Sequence, residues 1–169
     1  MPLPACSISV GSDGAEFYVR LAGRAAAESA PSFEKLVQRF QAEGAARIVL
    51  DLSGILLMDS GFSGTIAGLI RRSRIAFVLH RPPQRILDNF EDHGVLELVT
   101  VLDEAGACTL PKGGVEEALP AGGRTEVLRC CLDAHRALMA LKPENVAKFQ
   151  VVEQYLAQEL AKSPSPDVR

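Results

Sequence analysis

The chain is predicted to be an α/β protein. Its elements read β-β-α-β-α-β-α-β, forming a mixed sheet with helices packed mainly on one face, followed by a C-terminal helical hairpin. Three observations carry this expectation. Arg47-Ile48-Val49-Leu50-Asp51-Leu52 and Ile75-Ala76-Phe77-Val78-Leu79 are short, nearly continuous apolar runs of the kind that forms central strands. Segments with apolar residues at helical spacing alternate with them, and strand–helix–strand steps imply right-handed crossovers between parallel neighbours. A stretch rich in Gly and Pro then separates these elements from two further helical stripes.

Taken in order, Ile8 to Val10 and Phe17 to Leu21 alternate apolar and polar residues around Gly11-Ser12-Asp13-Gly14, which predicts a β-hairpin. Gly23 is expected to end the second strand. Ser29 or Ser32 can cap a first helix running to about Glu43, with Phe33, Leu36, Val37 and Phe40 on one face and Gly44 as its stop. After the central strand, Ile55 to Met58 reads as a short apolar connection. Asp59-Ser60 would then cap a second helix over about Gly61 to Arg72. Pro82-Pro83 opens a third helix through about Asp92, with Ile86, Leu87 and Phe90 inward, and Gly94 stops it. Leu96 to Leu102 is a last, weaker strand.

These elements fill residues 1–103. Residues 104–124, which hold Gly106, Pro111, Gly113, Gly114, Pro120, Gly122 and Gly123, read as a linker, and 125–162 as the helical hairpin. Val127, Leu128, Cys131, Leu132, His135, Leu138 and Met139 mark the apolar stripe of its first helix. Val146, Phe149, Val152, Leu156 and Leu160 mark that of the second, which Pro143 opens. Residues 163–169 are expected to fray. So short a hairpin needs a surface to bury against: the α/β core, a second copy of the chain, or a partner.

Composition narrows the function. The 169 residues are 47% hydrophobic and 23% charged, ordinary for a globular protein, and with Trp absent and aromatics at only 5% an aliphatic core is expected. A net charge of −3 lacks the positive field that a phosphate backbone demands, which argues against direct nucleic-acid binding. The N-terminus, Met1-Pro2-Leu3-Pro4, has no basic region leading into an apolar core, and no apolar run approaches the ~20 residues of a membrane span. A cytoplasmic protein with no membrane insertion is expected. Cys6, Cys108, Cys130 and Cys131 show no C-x-x-C spacing, and they read as reduced thiols.

Catalytic chemistry finds little support. His80, His93 and His135 have no carboxylate or Cys at metal-ligand spacing, so no metal site is expected. No nucleophile elbow or phosphate loop is present, and neither Ser53 nor Ser60 has a candidate base nearby in sequence. The expectation is therefore a non-enzyme with no catalytic residues and no cofactor. What stands out is Met58-Asp59-Ser60-Gly61, which delivers an Asp-Ser pair to the start of a helix. An ordinary helix cap is the simplest use of such a pair.

The run Ile48-Val49-Leu50-Asp51-Leu52-Ser53-Gly54, continuing through Ile55-Leu56-Leu57-Met58-Asp59-Ser60, resembles the signature of the STAS domain family. That family includes anti-sigma factor antagonists and the cytoplasmic ends of sulfate transporters. The likeness covers about residues 5 to 103 and agrees with the element order. It implies a protein-binding regulatory module for signal transduction and transcription regulation. Ser60 would be the phosphoacceptor, with Asp59, Ser60, Gly61, Phe62 and Ser63 as the partner-binding surface. The implied partners are a serine kinase that doubles as the anti-sigma factor and a serine phosphatase that resets the switch. Gly61, Phe62, Ser63 and Gly64 depart from the Ser-Gly-Leu-Gly usual in the family, and the C-terminal hairpin has no counterpart in a minimal STAS domain. An alternative is a STAS-like scaffold that is not phosphorylated and acts through that hairpin, by dimerisation or by docking to a larger assembly. Under the phosphoswitch reading the Ser60 hydroxyl is expected to be solvent-accessible.

Overall fold

The computed structural model describes residues 1–102 and 115–164. Its elements are β1 (Ser7–Asp13), β2 (Glu16–Ala25), α1 (Ala30–Ala42), β3 (Arg47–Met58), α2 (Ser60–Arg72), β4 (Ala76–His80), α3 (Gln84–His93), β5 (Thr100–Leu102), β6 (Glu117–Ala118), α4 (Arg124–Leu141) and α5 (Pro143–Lys162). They form the expected α/β architecture: a mixed six-stranded sheet in the order β5-β4-β3-β2-β1-β6. β2, β3, β4 and β5 run parallel, and β1 pairs antiparallel with β2 and β6.

The alternation read from the sequence sets one face of this sheet. Phe17, Val19, Leu21, Ile48, Leu50, Leu52, Phe77 and Leu79 join Phe33, Val37 and Phe40 of α1, Phe62, Ile66 and Leu69 of α2, and Ile86 and Phe90 of α3 in one apolar core. Val49 and Val78 point the other way along their strands and are buried outside that core. The helices therefore share one face of the sheet.

Several boundaries differ from expectation. β2 does not end at Gly23 but continues to Ala25. Gly23 has φ +82°, and a Cβ there would meet Ala5 O at 2.4 Å, so this glycine serves close backbone approach within the strand. Ile55 to Met58 is not a connection. It extends β3, pairing with Gly23 to Ala25 after register shifts that follow Arg20 and Gly23. Ser29 sits at the N-cap of α1 but makes no side-chain capping bond, and a 3-10 turn over Ala27–Ser29 leads into the helix. The last strand is split into a 3-10 turn (Leu96–Leu98) and β5.

Part of the expected linker is ordered structure. Glu117–Ala118 pair with β1 as β6, Leu119 is buried, and Leu119 N donates to Cys6 O. Gly122 N donates to Glu28 O, and Ser32 Oγ donates to Pro120 O. The rest of the linker from residue 104 to 114, and the tail beyond 164, lie outside the described residues. The hairpin itself folds back onto α2 rather than standing apart, so Leu138 and Phe149 belong to the main core. Its second stripe is rotated from expectation: α5 buries Asn145, Phe149 and Leu156, while Val146 and Val152 are exposed.

Candidate functional site

The site begins with a turn between β3 and α2. Asp59 is extended (φ −89°, ψ 172°) and is the N-cap of α2, its Oδ1 accepting from Phe62 N at 2.9 Å. Its Oδ2 accepts from Ala27 N at 2.9 Å, tying the start of α2 to the end of β2. One carboxylate thus satisfies two backbone donors that no helix or sheet bond would reach. Since Asp59 does the capping, Ser60, the first residue of α2, is left with its hydroxyl available.

That hydroxyl does not face open solvent. Ser60 is half-buried, and Ser60 Oγ lies 3.0 Å from Nε2 of His135 on α4. The nearer partner of His135 Nδ1 is the Cys131 carbonyl oxygen at 2.7 Å, which can only accept; Cys131 Sγ lies farther off at 3.5 Å. In the neutral imidazole the proton therefore sits on Nδ1, and Nε2 accepts the Ser60 O–H. Phe149 of α5 packs edge-on against the His135 ring at 5.2 Å, so the imidazole is held from both sides.

Below this contact α4 lies very close to α2. A Cβ on Gly64 would meet Ala134 O at 2.5 Å, so only glycine permits the helices to approach this far. Thr65 Oγ1 lies 3.4 Å from Cys130 Sγ, and that thiol donates to Glu34 Oε2 of α1. Burial pushes Cys130 up to about 12 and Cys131 up to about 11, so both are thiols near neutral pH. The adjacent cysteines do point apart, one to α1 and α2 and the other to His135.

The surface expected around Ser60 is narrower than predicted. Gly61, Phe62 and Ser63 are all buried. Phe62 stacks obliquely on Phe33 at 5.1 Å inside the core, so it cannot serve as an aromatic on a binding surface in this arrangement. Only Asp59 and Ser60 of the expected set remain partly exposed, next to the exposed Leu56 and Leu57 at the end of β3. Among the described residues, pairing of β3 with β4 ends at Asp51–His80, and farther along β3 Arg85 donates to the Ile55 carbonyl.

His135 is the residue that sequence reasoning missed. It lies 75 positions from Ser60, and its only signal was a polar residue within an apolar helical stripe. Of the other two histidines, His80 ends β4, and His93 packs at 5.1 Å on Phe149, the ring that also contacts His135. Among the described residues no group of three His, Cys, Asp or Glu side chains is placed to hold a metal ion. No helix among them is long and apolar enough to cross a membrane. A cavity of about 660 Å³ lies elsewhere, between α1 and the β1–β6 edge, and Ser60 does not line it.

Comparison with known proteins agrees with this architecture. No curated protein matches the sequence significantly. A solved structure of the anti-sigma factor antagonist SpoIIAA in its unphosphorylated form superposes with a TM-score of 0.52 at 15% identity. The match covers 59% of this chain and 91% of that one, so the fold is shared. The family model described as "Mlab, STAS domain" matches residues 8–100, more than half of the chain. The α/β body described above, with Asp59-Ser60 at the mouth of α2, therefore belongs to the STAS domain family.

Proposed function

We propose that this chain is a cytoplasmic protein-binding module of the anti-sigma-factor-antagonist kind, switched by phosphorylation of Ser60. The observation that carries the reading is the division of labour at the start of α2. Asp59 makes both structural hydrogen bonds, and the Ser60 hydroxyl is not needed to hold the helix. A partner serine kinase, itself the anti-sigma factor, would transfer the γ-phosphoryl group of ATP to Ser60 Oγ, releasing ADP and the hydroxyl proton. A serine phosphatase would reverse the state by hydrolysis.

The phosphate adds about −1.5 to −2 charges at pH 7. The amides in the first turn of α2 and the helix dipole tolerate that charge, so the α/β body stays folded. Beside the Asp59 carboxylate, the same charge repels an acidic or apolar partner surface. Leu56 and Leu57 supply apolar area for that partner at the edge of the site.

Intact-mass and phosphopeptide analysis of the protein from its native cells tests the proposal. A phosphate on Ser60 that disappears in Ser60→Ala supports it. No phosphate on Ser60 under any of several growth conditions overturns it. The Ser60–His135 contact favours a second reading, a STAS scaffold that is not phosphorylated and works through its hairpin. Under that reading the exposed Val151 and Tyr155 of α5 provide the docking area, for a second copy or for a larger assembly.

A further inference from the structure

The STAS family match ends at residue 100, in β5, yet two more helices follow and are laid over the element that carries Ser60. From the geometry of that contact we infer that the α4–α5 hairpin is a latch on the Ser60 face: it is closed on the serine hydroxyl through His135 and forced open by a phosphate on Ser60. The inference rests on the proposed modification of Ser60 and adds what that modification does to this molecule.

The closed state is visible in named contacts. Ser60 Oγ–H meets His135 Nε2, Gly64 lets the α4 backbone sit against α2, and Thr65 touches Cys130. Apart from the Ser60–His135 bond, α4 has no polar contact with the first residue of α2. With Ser60 in its present orientation, a phosphate on Oγ would occupy the space beside Oγ that the imidazole now fills at 3.0 Å, and the tight Gly64–Ala134 approach leaves α4 no room to slide inward. The phosphate also has no hydroxyl proton to give to Nε2 through Oγ, and it lies beside the Asp59 carboxylate. Asp59 cannot turn away without abandoning Ala27 N and Phe62 N. The hairpin is the side that moves.

The hairpin is suited to moving as one piece. α4 and α5 are joined internally by Arg124–Glu159 and Arg136–Glu153 ion pairs, and by Asn145 Nδ2, which donates to Leu138 O. Its ties to the body are two ion pairs at the rim, Lys35–Glu126 and Lys148–Asp92, the buried bond from Asn145 Nδ2 to His93 O, the Cys130 contacts with Thr65 and Glu34, and the packing of Leu138 and Phe149 in the main core. Opening uncovers the α2 stripe of Gly64, Thr65 and Gly68 together with Cys130, Leu138 and Phe149, which the closed hairpin buries. The hydroxyl form keeps that stripe filled by α4.

The test uses the full chain with phosphoserine installed at position 60 during translation, so it is independent of whether a kinase acts there in cells. Hydrogen exchange is read peptide by peptide. The latch predicts that amides in 124–162 exchange about tenfold faster or more than in the unmodified chain, while β2, β3 and α1 keep their protection. Unmodified His135→Ala, which removes the contact without adding charge, is expected to speed the same segment by a smaller factor. Unchanged or greater protection of 124–162 in the phosphoserine chain overturns the inference, as does loss of protection spread evenly over the sheet. Unchanged protection in His135→Ala would show that the hydroxyl does not hold the latch and overturns it equally. Absence of phosphate on Ser60 in cells would sink the modification and leave this mechanical result standing.

Discussion

The two sides of α2 are built on different principles. Toward the sheet it presents Phe62, Ile66 and Leu69, all buried, which fill space with apolar volume. Toward α4 it presents Ser60, Gly64 and Gly68, small residues at a spacing of four that let two backbones approach, with polar contacts from Ser60 to His135 and from Thr65 to Cys130. The first interface gains its stability from side-chain burial, which tolerates no removal. The second depends on close fit and hydrogen bonding, so a single added atom or charge can undo it. The same helix is thus permanently attached on one side and conditionally attached on the other.

The largest expected effect is on the sheet side. Phe62→Ala leaves a cavity against Phe33 and is expected to cost about 3–5 kcal/mol, read as the free energy of global unfolding in denaturant. Next comes Gly64→Ala. Its Cβ collides with the Ala134 carbonyl, and the variant is expected to lose about 1–3 kcal/mol, with the loss confined to protection of the hairpin. A loss shared by β2 and β3 would show that the two interfaces are not separable.

Acidity should act at the far end of the hairpin. Burial pushes His93 below its ordinary value near 6.5, with Asp92 opposing the shift. The unfolded chain then takes up a proton more readily than the folded one. His93 therefore contributes stability that is complete above about pH 6.5 and is lost as the pH falls further. The melting temperature is expected to drop between about pH 7 and about pH 5.5, and less steeply in His93→Gln. An identical slope in the variant would remove His93 from the account.

The smallest effect has the opposite sign. A Cβ on Gly68 would lie 3.6 Å from Ala137 Cβ, an ordinary contact, so Gly68→Ala is expected to stabilise α2 by roughly 0.5–1 kcal/mol through helix propensity. Thermal melts of Gly64→Ala and Gly68→Ala should move in opposite directions. If both fall, the difference assigned to the two glycines is wrong.

Much of the body was legible because its signals are local. The runs at Ile48 and Phe77 and the helical spacing of Phe33, Val37 and Phe40 fall where burial places them. The end of β3 was misread because Ile55 to Met58, a short apolar run after the central strand, reads locally as a connection to the next helix. What extends the strand is pairing of Ile55 to Met58 with Gly23 to Ala25, a long-range fact. Asp59 was legible as a cap, but its second bond to Ala27 was not. The cover over Ser60 was invisible for the same reason. Nothing near Ser60 in sequence announces His135, and small residues such as Gly64 and Ala134 carry no amphipathic signal.

The claim that α2 is fixed on one side and releasable on the other is tested most directly by peptide-resolved alkylation of two buried thiols. Cys6 lies beside β1 in the sheet core and is pushed up to about 11, while Cys130 lies on the inner face of α4, against α1 and α2, and is pushed up to about 12. Both should react slowly in the unmodified chain. With phosphoserine at position 60, Cys130 is expected to alkylate about tenfold faster or more while Cys6 stays slow. Equal rates in the two chains, or acceleration of both thiols together, would contradict it.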